Sequence, residues 1–123
     1  MFLSFMSITI SSIYFSPVKS ISFQETKKCQ IKKNIGIVND RLYAFSRLID
    51  SERSYSMQQE PKQRKLNFFL TLRNTPSMNK YSFEYGESKL ELFLNKKKII
   101  SINPNNPIEV KFIENEMMKL EKL

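Results

Sequence analysis

Between Leu66 and Ile102 the apolar residues fall on alternate positions, and this alternation restricts the chain to folds with a half-buried antiparallel sheet. Leu66, Phe68, Leu70 and Leu72 mark one face of a first strand. Tyr81, Phe83 and Tyr85 mark a second, Leu90, Leu92 and Leu94 a third, and Ile100 with Ile102 a fourth. Asn74-Thr75-Pro76-Ser77, Gly86-Glu87 and Asn95-Lys96-Lys97 separate them with residues that favour turns. Four strands joined by short turns predict a meander with one buried face.

Helical spacing flanks this region. Ile35, Val38, Leu42, Phe45 and Ile49 recur at intervals of three and four and predict a helix over 35–50, capped at Asn34 or at Asn39/Asp40. Residues 51–65 are polar, contain Pro61, and read as a loop with room for a short strand at Tyr55–Gln59. After Asn103-Pro104, Asn106 is a candidate N-cap, Pro107 suits the first helical position, and Glu109 completes a capping box. Val110, Ile113, Met117 and Leu120 form the stripe of a last helix, broadened by Ile108 and Met118. Ile108, Val110 and Phe112 also alternate, but the helix formers that follow favour the helix. The expectation is a two-layer α+β domain over 23–123, a four-stranded meander flanked by an N-terminal and a C-terminal helix.

Residues 1–16 carry no charged side chain, and the first basic residue is Lys19. The apolar stretch has the length of a signal-peptide core and is short for a membrane span. Pro17 ends it, and Ser20 or Ser22 supplies a small residue for cleavage. Residues 1–22 therefore read as a signal peptide or hydrophobic anchor, and the protein as periplasmic or secreted. The competing reading is a strand packed in the core of a cytoplasmic protein.

Chemistry is constrained by what is missing. The chain has no histidine, one cysteine and two distant glycines, Gly36 and Gly86. These cannot assemble a His-based nucleophilic triad, a Cys/His zinc site or a glycine-rich phosphate loop. Cys29, flanked by Lys27, Lys28, Lys32 and Lys33, is either a reactive thiol or a bland half-buried one. Glu84, Glu87 and Glu91 are the remaining acid/base candidates, and their place near Lys89 on the polar side of the sheet argues for solvated ion pairs. No enzymatic activity, cofactor, metal or small-molecule substrate is expected.

Lys and Arg number 20 against 12 Asp and Glu, a net charge of +8. Such a surface suits an acidic protein, an anionic lipid or, as an alternative, nucleic acid. The basic residues Lys62, Arg64 and Lys65 form one cluster and Lys96–Lys98 another. Phe69 and Phe93 lie out of phase with the apolar face of their strands, so both should point to the opposite face, near Arg73. That places Phe69, Phe93, Arg73, Lys62, Arg64 and Lys65 as the candidate partner-binding residues, unless the N-terminal segment covers the rings as a second small core.

The sequence Leu42-Tyr43-Ala44-Phe45-Ser46, the segment Glu60-Pro61-Lys62-Gln63-Arg64 before an apolar strand, and Asn103-Pro104 followed by Ile108-Glu109 resemble the CsgE-type assembly and transport component of curli secretion. The tryptophan and the Gly-Ser that accompany these motifs in that family are missing. The resemblance implies a periplasmic adaptor that delivers amyloid subunits to an outer-membrane pore.

Overall fold

The computed structural model describes residues 7–47 and 51–122, without the side chains of Ser51 and Leu66. Its α+β architecture is built on one three-stranded antiparallel sheet, order β5-β6-β7, with β5 at Tyr81–Gly86, β6 at Lys89–Leu94 and β7 at Lys97–Ile102. The alternation seen in the sequence sets the register. Phe83 lies opposite Leu92, which lies opposite Ile100, so one face is apolar throughout. A bulge between Leu92 and Phe93 lets Phe93 pair with Lys98 and leaves Ile99 over. Both hairpins turn through two residues at positive φ, Glu87-Ser88 and Asn95-Lys96. Asn95 tolerates that conformation; the others hold it without the freedom of glycine.

The meander has three strands where four were expected. Leu66–Phe68 is a 3-10 turn, and Phe69 makes only an isolated antiparallel bridge to Ser46. The strand is interrupted by a local side-chain knot. The Thr71 amide donates to Asn74 Oδ1 (2.9 Å), the Asn74 amide donates to Thr71 Oγ1 (3.3 Å), and the Thr75 amide reaches the Thr71 carbonyl (2.7 Å). Such bonds offer the backbone a turn in place of a ladder.

The predicted first helix is also replaced. Residues 31–37 form a small hairpin of β3 (Ile31–Lys32) and β4 (Gly36–Ile37). Asn34, Gly36, Asn39 and Arg41 all have positive φ, which a right-handed helix excludes. Ile35 and Leu42 are exposed, and Ile49 lies outside the described residues. The helix appears one segment later, as α1 at Ser51–Gln59, where a polar loop was expected. It buries Met57. Arg64 folds back on its end, donating through Nε to the Met57 carbonyl (2.6 Å) and through Nη2 to the Gln58 carbonyl (3.0 Å). A guanidinium there satisfies carbonyls that the helix cannot, and it suits the negative end of the dipole.

The last helix, α2 at Pro107–Glu121, follows the expectation. Asn106 Oδ1 accepts from the Ile108 amide (3.0 Å), with Pro107 in the first turn. The Asn106 amide already donates to the Asn103 carbonyl (3.0 Å), so the reciprocal arm of a capping box has no donor left for Glu109. Asn106→Ala should therefore cost about 1 kcal/mol in denaturant unfolding. Glu109→Ala should cost clearly less. Equal losses would contradict this assignment.

Residues 13–22 are part of the folded domain. β1 (Ile13–Phe15) pairs antiparallel with β2 (Gln24–Thr26). Val18 and Ile21 join Met78, Tyr81, Phe83, Leu90, Leu92, Ile102, Ile113 and Met117 in one buried cluster. The Ser16 hydroxyl shares its proton between the carbonyls of Val18 and Ile21 (2.8 and 2.6 Å), and the Ser16 amide donates to Asp40 Oδ1 (2.8 Å). A parallel bridge of Val18 to Tyr43, with the Tyr43 amide on the Pro17 carbonyl (3.0 Å), ties the segment to the loop that follows β4. Val18 and Ile21, which precede the boundary expected after residue 22, therefore lie in this core. Residues 7–12 differ: Ile8 and Ile10 are 101% and 79% exposed.

Candidate interaction surface

Two regions received the predicted partner-binding residues, and the structure does not merge them into one sheet face. Phe93 lies on β6 and points to the side opposite Leu92, as the alternation required, but is half-buried. Phe69 is half-buried outside the sheet, and its carbonyl accepts from Asn74 Nδ2 (2.9 Å). The expectation that both rings share the back of one sheet fails because the strand that should carry Phe69 does not form.

The basic residues divide in the same way. Lys62 sits in a 3-10 turn at Pro61–Gln63; Lys62, Lys65 and Arg73 are exposed. Arg64 is occupied by the carbonyls that close α1, so its first duty is structural. Arg53 lies over the Phe68 ring, 5.2 Å from the centroid, which brings cationic and aromatic side chains together at this end of the molecule.

The outer face of the sheet is electrostatically mixed. Glu84 and Glu91 are directly opposite one another across β5 and β6. Lys98 on β7 offsets that like-charge pair through an ion pair to Glu91 (2.7 Å). Its hydrogen bond and charge contact with Glu91, with a smaller contribution from Glu84, raise the Lys98 pKa above the usual lysine value. Lys98, which lies next to Glu91 across the strands, takes the role that the sequence suggested for Lys89. These residues line a shallow open cleft with Gln24, Glu87 and Ser101. Cys29 is exposed on the wall of a second shallow cleft, beside Lys28 and Asn39.

One sheet edge is closed by side chains that sequence reasoning did not single out. Gln24 Oε1 accepts from the Tyr85 amide (2.7 Å), and its Nε2 donates to the Tyr85 carbonyl (3.1 Å). Ser22 Oγ accepts from the Phe83 amide (3.2 Å). A side-chain amide can imitate a neighbouring strand, and here it blunts the β5 edge against pairing with another chain. The signal available in the sequence was only the alternation of polar residues Ser22, Gln24 and Thr26.

A carboxylate with three partners ties the end of α2 to the sheet. Glu121 accepts from the Tyr81 hydroxyl and from Ser77 Oγ (2.8 Å), and Lys80 Nζ lies 3.3 Å away. The Tyr81 hydrogen bond, with help from Ser77 and Lys80, holds the Glu121 carboxyl below its ordinary value of 4.5, while desolvation works the other way. Burial, then the bond to Glu121, raises the Tyr81 phenol. Burial and the neighbouring Tyr85, whose ring centroid is 5.9 Å away, push Tyr43 up to about 12. Because the folded pKa of Glu121 is lowered, its stabilisation is complete above the unfolded value and is lost as pH falls through the folded one. Glu121→Gln should flatten the acid limb of the stability profile as pH falls from neutral through and below the ordinary carboxylate range. Parallel profiles for the two proteins would show that Glu121 does not carry it.

No family model, curated protein or solved structure matches this chain. Among the described residues no group of His, Cys, Asp and Glu could hold a metal ion, and no helix is long and apolar enough to cross a membrane.

Proposed function

We propose that this protein is a small exported accessory protein that acts by surface contact with a protein partner and has no catalysis of its own. The observation that carries the reading is the contrast within the N-terminal region. Residues 15–21 are built into the core, whereas Ile8 and Ile10 project from it in an uncharged stretch. Targeting to a membrane is the role that uncharged apolar N-terminal segments ordinarily serve. On this reading any processing falls upstream of Ile13, because removal of Val18 and Ile21 would open the core.

The surface supports contact over catalysis. Its paired carboxylates are offset by Lys98, and large apolar side chains such as Phe23, Tyr55 and Leu72 are exposed in a chain with an excess of cations. The likeness to CsgE-type components suggests an adaptor in secretion or fibre assembly, with a fibre subunit as the partner. Subcellular fractionation tests the export: the protein should reside in the envelope or outside the cell, and a soluble cytosolic product retaining Met1 would refute it.

Lys62, Lys65 and Arg73, exposed together with a charge of +8, favour one second reading, a nucleic-acid-binding module. Phosphate contacts make such binding steeply salt-dependent. Oligonucleotide titration at low salt decides it, and no detectable binding there eliminates this alternative.

A further inference from the structure

We propose that the solvent face of α2 docks on an anionic lipid surface. The inference does not depend on the compartment assigned above. One side of the helix is committed to the core through Ile113 and Met117. The opposite side is neither ordinary polar surface nor a second core. At about 100° per residue, Ile108, Lys111, Phe112, Asn115, Met118 and Lys119 fall on one outer arc of about 120°. Ile108 is 68% exposed, Phe112 51% and Met118 40%.

The charges of the helix are sorted. Its acidic residues, Glu109, Glu114, Glu116 and Glu121, fall on the two flanks between the core face and the outer arc. No acid lies on the arc itself. Lys119 makes no ion pair among the described residues, and Lys111 has only an exposed contact with Glu114 (3.1 Å). Lys122, just beyond the helix, adds a third cation at its end.

Protruding apolar side chains set among lysines on the outer side of a helix match an interface that offers negative charge and an apolar interior but no shape of its own. An anionic bilayer provides both. A protein partner would have to supply a groove shaped to take Ile108 and Phe112, whereas a bilayer takes protruding apolar side chains without one.

The full chain should sediment with vesicles of phosphatidylcholine mixed with phosphatidylserine, and far less with phosphatidylcholine alone. Replacing Lys111 and Lys119 together by glutamine should weaken partitioning by on the order of tenfold, and raised salt should abolish the difference. Ile108→Ser with Phe112→Ser should weaken it comparably while leaving the thermal transition nearly unchanged, and Phe112→Leu should restore it. Ile8→Ser with Ile10→Ser controls for the N-terminal stretch. The proposal is overturned if the chain ignores both vesicle types, or if binding follows Ile8 and Ile10 and is indifferent to α2. It is equally overturned if polyglutamate binds with the same dependence on Phe112, which would make the face a protein site. Failure of any of these leaves fractionation as the separate test of export.

Discussion

A chain that starts at Phe23 is expected to lose its cooperative unfolding transition. The deletion removes three apolar side chains that are buried in the intact protein, Phe15, Val18 and Ile21. At roughly 1.5–3 kcal/mol for each buried side chain, the loss is about 5–9 kcal/mol. Domains of this size are stable by only about 5–15 kcal/mol. The deletion also strips the β5 edge of Ser22, which accepts from the Phe83 amide, and removes the carbonyl of Pro17 that receives the Tyr43 amide. Circular dichroism on heating checks the outcome, and a sharp transition like that of the full chain would contradict it. Ile21→Ala is the milder version, with an expected cost of about 2–5 kcal/mol.

Phe83→Ala should cost about 3–5 kcal/mol and Leu92→Ala about 2–5 kcal/mol. The two side chains face one another across β5 and β6, and both are essentially inaccessible to solvent. Phe83 also meets the ring of Phe45, with centroids 5.8 Å apart. Its truncation therefore opens a cavity where the sheet touches the segment that replaced the expected first helix. Urea unfolding gives the values directly. A loss below about 1 kcal/mol at either position would mean that this face of the sheet is not the centre of the core.

Local patterns were legible where nothing competed with them. β5, β6, β7 and α2 were legible because alternation, turn residues and a capped apolar stripe agreed with one another. Residues 35–50 carried a helical stripe, but Asn34, Gly36 and Asn39 take up left-handed backbone and make a hairpin and turns of it. The apolar side chains there serve separately: Phe45 packs on the core while Ile35 and Leu42 stay in water. Leu66–Leu72 alternated as a strand should, yet the Thr71–Asn74 knot and the lack of a paired neighbour end it after one bridge. α1 was illegible for the opposite reason. It has no apolar stripe, buries only Met57 among its described side chains, and depends on Arg64, five residues beyond its end, to satisfy carbonyls near that end.

The interaction surface was less legible than the fold. Phe93 could be assigned to the outer face because it sits in a strand that forms. Phe69 could not, since its assignment inherited the error about its strand. Nothing in the residue spacing distinguishes Arg64, which closes α1, from its exposed neighbours Lys62 and Lys65. The role of Gln24 is equally hidden, because a glutamine that imitates a strand differs from a solvated one only in what lies across from it.

On the proposed reading, residues 13–22 belong to the working domain and the apolar stretch before them directs the chain to a membrane. N-terminal sequencing of the folded protein recovered from the envelope or the medium tests both halves at once. The predicted result is a chain that begins at or before Ile13. A folded protein beginning at Ile21 or Phe23 would contradict the account.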